Sequence, residues 1–194
     1  MNLLRKNIEM SNKKREQRSL EELQTTTDRL FYEWQMISRI ADALLEQDSL
    51  DQILINAFVE SCALHARVVK NFLYAKKNAR LDDAIAEDFF ADPITWHKKR
   101  PKLPDVLAYK NFDIFANKQI AHLVYPTKKD RPIVGKGHKE WDFAKVADAI
   151  QPALEQFVGL IKPKYLGVRW WNLIDAQKGY RWKNLKRLVA AKKS

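Results

Sequence analysis

Apolar residues recur at helical spacing through two long stretches of this chain, and that periodicity decides the fold class before anything else. From Ser19 onward, Leu20, Leu23, Leu30, Phe31, Trp34, Ile37, Ile40, Ala41, Leu44 and Leu45 share one helical face. Ser19 and Glu22 stand at the spacing of a capping box. A second stripe, Ile53, Ala57, Val59, Ala63, Leu64, Val68, Phe72 and Leu73, predicts a helix over about 49–77, because neither Pro nor Gly interrupts it. Ser49 with Gln52 supplies its cap.

The signals downstream are shorter. Residues 82–90 predict a short helix ended by Asp92-Pro93, since the residue before proline is pushed out of the helical region. Residues 93–104 read as a basic, irregular connection, and 106–123 as a compact helix followed by a loop carrying Pro126, Pro132, Gly135 and Gly137. A further helix is expected over 142–161, with a kink or break at Pro152. Five Gly and seven Pro in 194 residues are too few for the turns of a sandwich or barrel, while 46% hydrophobic residues are enough for a core. The expected fold is all-α: a polar N-terminal arm over 1–18, a helical bundle over 19–161 and a basic, aromatic-rich C-terminal extension over 162–194.

One cysteine, Cys62, excludes an intramolecular disulfide and a CxxC zinc site, which points to a reduced setting. No apolar run is long enough to span a membrane and no signal-peptide core is present, so a cytoplasmic location is expected. The acids Asp82, Asp83 and Asp88 read as a first helical turn favoured by the helix dipole, so neither a metal nor a cofactor is expected.

Charge is unevenly placed. The chain carries a net charge of +11, and residues 160–194 hold ten Lys or Arg against one acid, a net of +9. Residues 97–140 hold eleven basic residues against four acids, whereas 25–96 hold seven against twelve. The first half is therefore scaffold and the second a surface suited to an anion. In the extension, Tyr165, Trp170, Trp171, Tyr180 and Trp182 interleave with Lys178, Arg181 and their neighbours. Cations neutralise phosphates and aromatic planes stack unpaired bases, so single-stranded nucleic acid, RNA in preference, fits both features. Two other readings stay open: the tryptophans pack on the bundle while the lysines solubilise it, or the tail lies on anionic lipid.

Two constellations carry potential chemistry. On the second helix, Asn56, Glu60 and Arg67 lie near one line, with His65 off it on the side of Cys62, Val69 and Phe72. They form either a solvated face with one satisfied core histidine, or a site in which Glu60 and Arg67 are buried and paired against another helix. Further on, Lys118 and His122 stand one helical turn apart beside Asn117. A nearby lysine lowers an imidazole pKa and leaves it a base near neutral pH; a bridging core histidine is the other reading.

The run Glu60-Ser61-Cys62-Ala63-Leu64-His65-Ala66-Arg67, with Asn71-Phe72-Leu73, Asp82-Asp83, Asp88-Phe89-Phe90, Asn117-Lys118 and Ala121-His122-Leu123, resembles bacterial proteins of the HEPN (higher eukaryotes and prokaryotes nucleotide-binding) superfamily. The resemblance covers about residues 50–125. It implies a compact helical bundle, a homodimer and, in ribonuclease members, an Arg, a polar residue, three variable residues and a His at a helix end. Asn117 occupies the Arg slot, Lys118 the polar slot and His122 the His slot. Asn lacks the bidentate phosphate donor, and Lys118 replaces its charge but not its planar fork.

What the resemblance implies is metal-independent RNA cleavage by 2′-hydroxyl attack on the adjacent phosphate. His122 would move the proton, and Lys118, with Arg67, would stabilise the developing charge. Substrate contacts are expected from Arg67, Glu60, His65, Lys178, Arg181 and Trp182. The functional expectation is an RNA-binding protein, with ribonuclease activity in a defence or toxin–antitoxin setting and an antitoxin or other protein partner. The alternatives are a non-catalytic nucleic-acid-binding or regulatory subunit, which Asn117 favours, and a purely structural or interaction protein.

Overall fold

The computed structural model describes residues 15–46, 51–75, 79–108 and 143–176. Of the described residues 76% are helical and none lies in a strand, so the all-α fold stands. Helix α1, Leu20–Glu46, starts where the capping box places it. The Ser19 hydroxyl accepts from the Glu22 N–H at 3.1 Å, and the Glu22 carboxylate accepts from the Ser19 N–H at 2.7 Å. Hydrogen bonding from Ser19, its backbone N–H first and its hydroxyl second, holds the Glu22 carboxyl below its ordinary pKa.

Helix α2, Gln52–Leu73, is shorter than expected. Its cap is Asp51, whose carboxylate accepts from the Ile53 N–H at 2.7 Å, and it ends at Tyr74 rather than near residue 77. The face it buries holds Val59, Cys62, Ala63, Ala66, Val69, Phe72 and Leu73. Ile53, Leu64 and Val68, which the spacing placed on the core stripe, are 75%, 38% and 49% exposed. The apolar residues of α2 straddle two opposite faces, so period alone did not say which one the core takes.

Two short elements follow. The expected helix over 82–90 is a 3₁₀ turn, Ala86–Phe89, and the connection expected to be irregular contains helix α3, Ile94–Lys99. Asp92-Pro93 ends one segment and also starts the next: the Asp92 carboxylate accepts from the Ile94 N–H at 3.0 Å while Pro93 opens the first turn. Helix α4, Asp105–Ala108, is one turn at the start of the helix expected over 106–123, whose remainder lies outside the described residues.

Helix α5, Phe143–Leu160, packs against α1 and α2 and runs through Pro152 without a break. A cluster of edge-on rings ties the layers: Phe157 meets Phe72 at 5.0 Å, Phe89 at 5.1 Å and Trp96 at 5.6 Å between centroids.

Past residue 161 the described chain continues into the core through Leu166, Trp170 and Leu173. A 3₁₀ turn, Pro163–Tyr165, leads to helix α6, Val168–Ala176, and both dock on α1. The Thr27 hydroxyl lies 2.9 Å from the Tyr165 carbonyl and accepts from the Gly167 N–H at 2.9 Å. Asp28 caps α6, accepting from the N–H groups of Val168 and Arg169 at 3.1 and 2.9 Å. Trp170, 1% exposed, donates from its indole to the Thr27 carbonyl at 2.7 Å and sits edge-on to Phe31 at 5.0 Å. A Cβ at Gly167 would come within 2.2 Å of the Asp28 carboxyl carbon, so only glycine permits this approach.

The end of the polar arm is also tied down. The Arg15 guanidinium pairs with both Asp88 oxygens at 2.9 and 3.0 Å and donates to the carbonyls of Arg80 and Asp83. Arg18 donates to the Leu81 carbonyl. Asp88 therefore serves as an anchor for the N-terminal segment.

Candidate nucleic-acid interface

Helix α3 exists because one side chain holds it. Trp96 is fully buried and its indole donates to the Leu73 carbonyl at 2.7 Å, satisfying an acceptor left open at the C-terminus of α2. Arg100, extended ahead of Pro101, ends the helix and donates to the same carbonyl at 3.5 Å. With Trp96 pointing in, His97, Lys98 and Lys99 are exposed, as is Lys102 just beyond. Among the described residues, these three lysines have no acidic partner.

Behind this row lies a buried acid. Glu87, on the 3₁₀ turn, is 6% exposed, and neither carboxylate oxygen has a hydrogen-bond partner. His97 Nε2 stands 3.1 Å from Oε1 without hydrogen-bond alignment, and Arg100 Nη1 stands 3.9 Å away. Burial raises the Glu87 carboxyl above its ordinary pKa, against the pull of its own backbone N–H, His97 and Arg100. The Tyr74 hydroxyl is a second buried group without a partner; burial raises it too, opposed by Arg100, whose guanidinium lies 5.4 Å from the ring centroid.

On α2 the arrangement is the first of the two readings, a solvated face with one satisfied histidine. His65 meets Glu33 of α1, Nδ1 to Oε2 at 2.5 Å, with both side chains mostly buried, and the Tyr32 ring lies edge-on to it at 5.7 Å. This is a satisfied histidine between two helices. Glu60 is exposed and Arg67 half-buried, so the alternative, in which both are buried and paired against another helix, is not formed among the described residues. Beside the His65–Glu33 pair runs an open groove of about 580 Å³, lined by Arg29, Glu33, Asn71, Phe72, Asp83 and Ile85 among others.

Asn117, Lys118 and His122, and Lys178, Arg181 and Trp182, lie outside the described residues. Of the tail aromatics, Trp170 is sealed in the core and Trp171 packs partly against it, so Trp170 offers no plane for a base. Lys162, Lys164 and Arg169 remain exposed around them. The Glu87–His97–Arg100 cluster escaped sequence reasoning, because Glu87 sits in an acidic run and only burial distinguishes it from Asp82, Asp83 and Asp88. The one available signal was the run His97-Lys98-Lys99-Arg100 after a capping Asp-Pro pair.

Among the described residues no group of His, Cys, Asp and Glu is arranged to hold a metal ion, and no helix is long and apolar enough to cross a membrane. No protein-family model, no curated protein and no solved structure matches this chain.

Proposed function

We propose that this is a HEPN-like nucleic-acid-binding protein that takes single-stranded RNA on a cationic face including Lys98, Lys99 and Lys102. The observation that carries the reading is exposed Lys98 and Lys99 on a short helix anchored by Trp96, with exposed Lys102 just beyond it, none of them with an acidic partner among the described residues. A polyanion gains there by releasing condensed counterions, and among the described residues no carboxylate pairs with the lysines. The basic excess over 97–140 and 160–194 supports the same ligand.

The test is binding of a labelled single-stranded oligoribonucleotide as salt is varied. Affinity should fall steeply between low and moderate salt, and an affinity unchanged over that range removes a phosphate partner.

Two finer proposals belong to this reading. Ribonuclease activity, in a cytoplasmic defence or toxin–antitoxin setting with a protein partner, would use His122 as the base with Lys118 and Asn117 beside it. Incubation with RNA in EDTA tests it, and equal cleavage by the wild type and His122→Ala, or none by either, removes it. In that case the non-catalytic binding subunit, favoured by Asn117, is what is left.

Homodimerisation is supported by the outward face of α2, where Ile53, Leu64 and Val68 are exposed beside Glu60 and Arg67. Antiparallel pairing about a two-fold axis would set Glu60 of one copy against Arg67 of the other. Light scattering of the wild type beside Leu64→Glu tests this: a dimer that becomes monomeric supports it, and a monomeric wild type removes it.

A further inference from the structure

The buried acid at the cationic face calls for an explanation of its own. A carboxylate sealed from water without a hydrogen bond is costly, and a well-packed apolar side chain in its place would usually be neutral or stabilising. Glu87 is such a group, and the side chains beside it are the imidazole of His97 at 3.1 Å and the guanidinium of Arg100 at 3.9 Å.

We infer that His97 is a phosphate-contacting residue whose positive charge is held by the buried Glu87 carboxylate, so that binding of a phosphodiester chain here is gated by one imidazole. This rests on the nucleic-acid reading above and deepens it.

The 3₁₀ turn presents Glu87, while its neighbour Asp88 is already neutralised by Arg15. The C-terminal turn of α2 carries the phenol of Tyr74 beside Arg100 and the buried Lys70, and α5 meets α3 through Phe157 against Trp96, an apolar contact. On α3 and its end stand Lys98, Lys99 and Arg100, and among the described residues Glu87 is the acid paired with the ring. The His97 side chain keeps 46% of its surface in solvent. When charged, its ring carries two N–H donors, one beside Glu87 and one left for a ligand oxygen. When neutral, it withdraws a charge from the lysine row and leaves Glu87 facing Arg100 alone.

The experiment measures affinity for a fluorescein-labelled oligouridylate against pH and salt, on the whole chain, with circular dichroism confirming each variant's fold. Wild-type affinity should tighten roughly tenfold from pH 8 to pH 5.5, the size of one charge-assisted contact. The slope of log affinity against log salt should steepen by about 0.7 over the same range, one phosphate's worth for a single strand. Measured in a His122→Ala background, so that the other histidine proposed at the RNA does not contribute, His97→Gln should abolish both changes while retaining the binding due to the lysines. Glu87→Gln, if folded, should move the midpoint of the pH profile to lower pH.

A purely structural His97 moves none of these readouts, so a His97→Gln profile that superposes on the wild type overturns the inference. A folded Glu87→Gln variant with an unshifted midpoint overturns the part assigned to Glu87. Wild-type binding that is salt-sensitive but flat in pH overturns the inference and leaves the nucleic-acid reading standing. No binding at any pH and low salt removes both.

Discussion

The two ends of the molecule treat buried polar groups in opposite ways. Where α6 docks on α1, each polar group drawn into the contact finds a partner: Thr27 serves Tyr165 and Gly167, Asp28 serves Val168 and Arg169, and the Trp170 indole serves Thr27. Where α3 meets the 3₁₀ turn, Trp96 is equally well satisfied, but Glu87 and the Tyr74 hydroxyl are buried with no hydrogen bond. A network with every member paired rigidifies the fold, while one left incomplete costs stability and persists where something else depends on it. The first region is therefore structure, and the second is where function is expected.

The strongest way to break this comparison is at the satisfied end. Trp170→Ala removes a buried indole and its bond to Thr27, and should cost about 3–5 kcal/mol in guanidinium unfolding. A loss below about 1 kcal/mol would mean α6 is not part of the core. Gly167→Ala drives a methyl into the Asp28 carboxyl and disturbs the α6 cap, for an expected loss of about 1–3 kcal/mol by the same assay.

At the incomplete end the sign reverses. Glu87→Gln should leave stability unchanged or raise it by about 1 kcal/mol near neutral pH, while weakening the binding of RNA. A structural carboxylate would lose stability instead. The pH dependence follows from the direction of the shift: burial lifts the Glu87 carboxyl above its ordinary 4.5 in the folded state, so the native protein holds that proton longer. The penalty is absent below the unfolded value, grows as pH rises from there to the raised one and is complete above it. Wild-type stability, measured relative to Glu87→Gln, should therefore fall with rising pH just above 4.5, and a difference that grows instead contradicts burial as the dominant cause.

The smallest effect concerns Cys62, fully buried on α2, whose thiol burial pushes up to about 12. Alkylation at pH 8 should proceed only through unfolding, with a rate that follows denaturant, and fast labelling of the native protein would show an open core.

The sequence made the long helices legible because their apolar stripes and caps are local. Ser19 and Glu22 form the box their spacing implies, and α5 tolerates Pro152 because helix packing on α1 and α2 outweighs one missing bond. What local reading missed depends on tertiary contact. The α2 stripe divides between core and solvent according to where α1 and α5 lie. Trp170 looked like a stacking plane until Thr27 and Phe31 enclosed it, and His65 is explained by Glu33, thirty-two residues earlier in the chain. Glu87 is indistinguishable from its acidic neighbours until burial separates them, and α3 was hidden because Asp92-Pro93 both stops and starts a segment.

The central claim is that the lysine row beside His97 holds a phosphate backbone, and the salt dependence of RNA binding tests it most directly. Replacing Lys98, Lys99 and Lys102 together by Ala should weaken affinity at low salt and flatten the slope of log affinity against log salt by about 2, at 0.7 for each lost phosphate contact. A triple variant that binds with the wild-type affinity and slope would contradict it.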